Sequence, residues 1–88
     1  MGHLVYILES QKDKSWYYGQ TNNLSSRLER HNKGLEKYTR LKCPWVVYWF
    51  KEVDSRSEAM KLERKLKNMK SRKRVQDFID KDNGIRKG

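Results

Sequence analysis

Residues 16–31 read WYYGQTNNLSSRLERH, a strand running through a polar turn into a helix. Trp16, Tyr17 and Tyr18 suit a pleated, half-buried strand. Gly19 then allows a bend or a close approach of another group. Residues 20–23, QTNN, form a polar turn in which Asn22 or Asn23 can cap the helix that follows. On that helix Leu24, Arg27, Leu28 and His31 recur at i, i+3, i+4 and i+7, which is one face. An arginine and a histidine within an apolar stripe each need a partner, because an unpaired charge turned toward a core is costly.

Outward from this stretch, residues 3–9, HLVYILE, read as a strand with Leu4, Tyr6 and Leu8 on one face. The polar run 10–14, SQKDK, joins it to residues 16–19 as an antiparallel hairpin whose register can put Tyr6 and Tyr17 on one face. Gly34 suits the end of the first helix. Residues 35–44 lack a period and read as a surface loop carrying Lys37, Tyr38, Arg40 and Lys42. Tyr38 there either stacks on a base or sugar or packs on its own domain. Residues 45–53, WVVYWFKEV, form the most apolar strand. Ser55 or Ser57 caps a helix over 58–68, with Glu58 in the first turn and Ala59, Leu62, Leu66 and Met69 as its apolar stripe. Glu63 falls beside that stripe, either paired with Lys67 on a solvated edge or turned to a site. Val75, Phe78 and Ile79 predict a last helix, and residues 80–88 read as a frayed tail.

Eighty-eight residues make a single domain over 1–88, with a core over about 3–80. A chain this short buries only roughly 60% of its unfolded surface, so its ten aromatics supply much of the core bulk. The 21 basic residues exceed the 11 acidic ones, for a net charge of +10, which points to a polyanionic partner. Eight of those cations lie in residues 61–74, against one acid, Glu63. They include Lys67, Lys70, Arg72, Lys73 and Arg74, which with Lys37 and Arg40 are the expected nucleic-acid contacts. Cys43 is the lone cysteine, which excludes an internal disulfide and a cysteine zinc site and fits a reducing cytoplasm. No apolar run is long enough for a membrane helix and no signal peptide is evident, so the expected location is cytoplasmic and no membrane partner is expected.

Tyr6, Tyr17, Arg27, His31 and Glu63 are the chemically unusual residues. A carboxylate can hold one Mg²⁺, an arginine can clamp a phosphate, and a tyrosine or histidine can move a proton. Those are sufficient parts for phosphodiester cleavage, although spacing alone does not select it.

The ordered series resembles the GIY-YIG nucleases, in particular the small stand-alone bacterial branch. Leu4-Val5-Tyr6 and Tyr17-Tyr18-Gly19 are similar to the paired motifs that name the family. Gln20 to Leu24, Arg27-Leu28 with His31-Asn32, Lys37-Tyr38-Thr39, Pro44-Trp45 and Ser57-Glu58-Ala59 followed by Glu63 and Lys67 also match. The resemblance implies an α/β domain of the α+β type, a small three-stranded antiparallel sheet flanked by helices in the order β-β-α-β-α-α. It implies an endonuclease that uses Mg²⁺ or Mn²⁺ to hydrolyse DNA, with a structure-specific role in DNA repair or recombination. In that reading Tyr6 activates or positions the water, Tyr17 assists, Arg27 binds the scissile phosphate and Glu63 is the direct metal ligand. His31 serves proton transfer or phosphate contact. Which of these groups is the general base stays open. Leu4 stands where the family has glycine, and residues 74–78 hold no counterpart of an asparagine that many members carry after the glutamate. That gap motivates an alternative: a DNA- or RNA-binding module of the same fold without turnover.

Overall fold

The structure, a computed structural model, describes residues 2–82 and 85–86. Strands β1 (His3–Ser10) and β2 (Trp16–Thr21) form the hairpin, followed by helix α1 (Leu24–Asn32), a 3₁₀ turn (Arg40–Lys42) and strand β3 (Trp45–Val53). Helices α2 (Arg56–Asn68) and α3 (Arg72–Lys81) complete the series. The antiparallel sheet runs β2-β1-β3, so β1 is central and β2 is an edge. The β-β-α-β-α-α order and three-stranded sheet expected from the sequence are therefore present. A two-residue strand β4 (Ile85–Arg86) adds to the free side of β3. Of the stretch read as a frayed tail, residues 80–81 belong to α3, which runs through Lys81, and residues 85–86 pair with Trp49 and Phe50. Residues 83–84 and 87–88 of that tail, like residue 1, lie outside the described residues.

Local signals set the element ends. Asn23 caps α1 by accepting from the Ser26 amide at 3.1 Å. Ser55 caps α2 through the Glu58 amide at 3.2 Å, and Ser71 caps α3 through the Arg74 amide at 3.3 Å. Each side-chain oxygen satisfies a first-turn amide that has no partner within its helix. In the hairpin turn, the buried Ser10 hydroxyl accepts from the amides of Lys12 and Asp13 and donates to the Lys42 carbonyl at 2.6 Å.

The sheet separates two apolar clusters. Val5, Ile7 and Trp49 pack with Ala59, Leu66, Val75 and Ile79 under α2 and α3. Tyr6, Leu8 and Trp45 pack with Leu24 and Leu28 under α1. The unbroken apolar run of β3 has a cause in its pairing. Ile7 faces Trp49 but Leu8 faces Val47, so Tyr48 is the extra residue of a bulge. The bulge switches side-chain parity, which lets both Val47 and Phe50 pack in the α1 cluster.

Asn32 fastens α1 to the sheet. Its Oδ1 accepts from the Trp45 amide at 2.5 Å and its Nδ2 donates to the Trp45 carbonyl at 3.0 Å. That double contact fixes the last turn of the helix, and with it His31.

Candidate active site

A cleft of about 570 Å³ opens at the β2 edge, lined by Tyr6, Tyr17, Arg27 and Glu63 together with Gly19 and Gln20. Four of the five residues singled out in the sequence thus converge on one hollow, from β1, β2, α1 and α2. Register explains the tyrosines. Leu8 lies opposite Tyr17 and Tyr6 opposite Gly19, so both rings rise from the same face as diagonal neighbours, with centroids 6.5 Å apart.

Gly19 is part of the site because of what it lacks. A Cβ built there would lie 2.5 Å from Tyr6 Cζ and closer still to the hydroxyl. The Tyr6 ring occupies that missing volume, which brings its hydroxyl across β2 to the cleft.

His31, the fifth residue, does not line the cleft. It is 0% exposed and sits behind Tyr6. Its Nε2 is 3.3 Å from the Tyr6 hydroxyl and its Nδ1 is 2.7 Å from the Thr39 hydroxyl. The ring also lies edge-on to Tyr17, with centroids 5.0 Å apart. The buried imidazole is out of reach of a ligand in the cleft, and its contact toward the cleft is the Tyr6 hydroxyl. Burial lowers its pKa below the usual 6.5, opposed by Glu36 and reinforced by Arg27 and Arg30. His31 is therefore neutral near neutral pH, with one ring nitrogen free to accept.

Burial also raises the Tyr6 pKa; Tyr17 and Glu63 add to the rise, and Arg27 opposes it. Tyr17 is raised mainly by burial too, with Lys67 opposing and Glu63 reinforcing. Both rings remain phenols at neutral pH. Tyr6 cannot wait as a phenolate, but it can take a proton while passing its own to His31.

Glu63 is 19% exposed at its side chain and meets Lys67 Nζ at 2.6 Å. The two readings of Glu63 turn out to be compatible: it is paired with Lys67 and it lines the cleft. It is the one acid among the described residues of the lining. The Arg27 guanidinium makes no hydrogen bond or ion pair with the described residues, so it remains available to a ligand.

Sequence reasoning missed Arg56 and His3, which also line the cleft. Arg56 opens α2, and its signal was faint: a cation just inside a capped helix start, where an acid is usual. A smaller hollow lined by Glu63, Arg64 and Lys67 adjoins the cleft. Another, lined by Lys61, Arg64, Lys65 and Arg74, continues it along α2. Lys67 and Arg74 therefore lie on a basic path leading from the site, while Lys70 and Lys73 are exposed nearby. Arg72 has a different occupation. Its guanidinium stacks 4.1 Å from the Trp16 ring and donates to Glu9 at 2.9 Å and to the Lys14 carbonyl at 2.7 Å. Those contacts tie α3 to the hairpin, so the guanidinium expected to contact nucleic acid also has a structural tie within the domain. Lys37 and Arg40 lie on the loop that supplies Thr39.

The buried, neutral His31 has a measurable consequence. Its folded pKa is depressed, so the unfolded chain binds the extra proton first and stability is lost as pH falls below 6.5. Between pH 6.5 and about 5, above most carboxylate titration, urea midpoints of the wild type are expected to fall. His31→Gln is expected to be less stable at pH 7 and to have a flatter profile across that window.

The arrangement agrees with the comparisons. The model of the GIY-YIG catalytic domain matches residues 2–76. A UPF0213 protein of Oceanobacillus iheyensis is 44% identical over 68 residues, covering 76% of this chain and 78% of that one. A UPF0213 protein of Bacillus subtilis is 34% identical over 79 residues, covering 89% and 78%. The solution NMR structure of a UPF0213 protein from Bacillus halodurans superposes with a TM-score of 0.57 at 37% identity, covering 94% of this chain and 88% of that one. With the fold, the ordered residues and these matches in agreement, the chain belongs to the GIY-YIG family, alongside its small UPF0213 members.

Proposed function

We infer that the protein is a divalent-metal-dependent endonuclease that hydrolyses DNA phosphodiester bonds. The nuclease-type fold is the family's; the activity is the reading that the site's geometry supports best. The observation that carries it is the convergence of Tyr6, Tyr17, Arg27 and Glu63 on one cleft with a basic path beside it. A small neutral ligand would not call for that charge.

The donor set suits a hard cation. Glu63 offers a carboxylate, and Gln20, Tyr6 and Tyr17 add oxygen groups to the lining. Among the described residues no three His, Cys, Asp or Glu side chains cluster as a metal cage. Mg²⁺ keeps most of its waters and takes one or two carboxylates plus substrate phosphate, so the Glu63 carboxylate suffices as its protein ligand. Held at Glu63, such an ion supplies Lewis acidity to the phosphoryl and leaving oxygens. The protein's own groups do the rest. Arg27 holds the non-bridging oxygens as their charge grows. The Tyr6 hydroxyl orients the attacking water and accepts its proton while handing its own to His31 Nε2. For that transfer Nδ1 carries the other proton and donates to Thr39. Tyr17, beside Tyr6 on the same sheet face, holds a hydrogen bond to that water. Arg56 binds a phosphate flanking the scissile one.

The test is cleavage of plain, nicked and branched DNA duplexes with Mg²⁺ or Mn²⁺, against EDTA. Metal-dependent nicking or scission supports the reading, and failure on every substrate removes it. Arg56→Ala is expected to weaken binding to all DNA sequences alike. It should also lower the slope of log affinity against log salt by about one, as the loss of one phosphate contact does.

One observation favours a second reading. Lys67 already neutralises the Glu63 carboxylate at 2.6 Å. A binding module for DNA or RNA without turnover would need no more than that. It predicts salt-sensitive nucleic-acid binding that is indifferent to Mg²⁺ and unaccompanied by cleavage. No helix among the described residues is long and apolar enough to cross a membrane.

A further inference from the structure

The connection between α1 and β3 combines an anchored backbone with an apolar exterior. Its anchors are numerous. Thr39 is buried, its hydroxyl 2.7 Å from His31 Nδ1, and its carbonyl accepts from Trp45 Nε1 at 2.9 Å. The Lys42 carbonyl accepts from Ser10, and Glu36 pairs with Arg30 at 2.9 Å. Yet Leu35, Tyr38 and Leu41 face outward, at 58%, 84% and 77% exposure. A small domain short of core would be expected to cover such side chains. Mobility does not explain their exposure, because the residues between them are held by specific hydrogen bonds.

The surroundings say what would cover Tyr38. Lys37 and Arg40 flank it and make no ion pair with the described residues; Lys37 Nζ lies 6.0 Å from the Tyr38 ring centroid. An exposed aromatic face between unpaired cations matches one chemistry well: a base to stack on the ring and phosphates for the cations. The platform is also tied to the cleft. Thr39, next in sequence, contacts His31, and His31 contacts the Tyr6 hydroxyl at 3.3 Å.

A base inside an intact duplex is already stacked, and extracting it costs several kcal/mol. An unpaired base at a fork or bubble carries the smallest such cost. We propose that this loop presents Tyr38 as a fixed stacking platform for an unpaired base of DNA, so that the protein selects forked or otherwise interrupted DNA over plain duplex. The proposal rests on the nucleic-acid reading of the cleft and adds the choice of substrate to it. Because the loop is already ordered, little conformational entropy is lost when the base docks.

The test uses the full chain, without metal, and two DNAs: a fork with 2-aminopurine at its first unpaired position, and a plain duplex of equal length. The fork is expected to bind about tenfold more tightly, on the scale of one base–aromatic stack, with quenching of the 2-aminopurine fluorescence. Tyr38→Ala should erase that preference and the quenching while leaving plain-duplex affinity unchanged. Tyr38→Trp should keep both. An unchanged fork preference and quenching in Tyr38→Ala, or equal wild-type affinity for the two DNAs, would overturn the platform even if metal-dependent cleavage is observed. Loss of preference in Tyr38→Ala without any cleavage by the wild type would uphold the platform and remove the enzyme. Binding to neither DNA would remove both.

Discussion

Glu63→Gln is expected to abolish DNA cleavage and leave the fold standing. The change keeps the shape of the side chain and removes its charge. Glu63 is the one acid among the described cleft residues, so no neighbour there can replace it. Loss of a group acting directly on transition-state charge costs about 10²–10³-fold in rate, and loss of the anchoring carboxylate should reach at least that. The stability effect is small. The ion pair lost is an i,i+4 contact with a half-exposed lysine, worth about 0.3–0.5 kcal/mol. DNA affinity without metal should hold or rise, because a negative charge leaves a phosphate site. Rate, urea midpoint and affinity measured on one preparation check all three. Cleavage at the wild-type rate would show that Glu63 is only the partner of Lys67.

Gly19→Ala is expected to damage the site through Tyr6. The added methyl would sit 2.5 Å from Tyr6 Cζ, and the ring is 1% exposed, so neither group has open space to move into. Overpacking of this kind costs about 1–3 kcal/mol. The catalytic loss should be larger in proportion. A displacement of about 1 Å at a reacting group can cost 10²-fold, and the Tyr6 hydroxyl must stay within reach of both the cleft and His31. A thermodynamic cycle with Tyr6→Ala distinguishes this clash from a general weakening of β2. If the clash is the cause, the two stability losses will be markedly non-additive, because the truncated ring leaves room for the methyl. Additive losses would locate the defect in the strand itself.

Much of this was legible because it depends on period and on residue type at short range. The stripe Leu24, Arg27, Leu28, His31 places one helix face, and the alternation in β1 and β2 puts Tyr6 and Tyr17 on one side. Glu63 stood out because an acid beside an apolar stripe needs a reason. The missed or misread features depend on distance in three dimensions. Nothing near His31 in sequence shows that it would lie behind Tyr6 rather than beside it; Thr39 and Trp45, brought by the loop, decide that. Arg72 looked like one more cation in a basic run, yet it lands on Trp16 and Glu9 across the domain. Arg56 reaches the cleft from a helix start. Tyr38 had two open readings, and its exposure removes packing on its own domain. The tail carried too little pattern to announce a two-residue strand.

The most direct test is a titration of the full chain with Mn²⁺, from substoichiometric amounts to saturation, in the presence of an uncleavable DNA analogue, followed by nuclear magnetic resonance. One saturable site per chain is expected, with paramagnetic broadening centred on Glu63, Gln20, Tyr6 and Tyr17 and absent from Glu63→Gln. Broadening centred away from the cleft, or a site that survives Glu63→Gln unchanged, would contradict metal binding at Glu63.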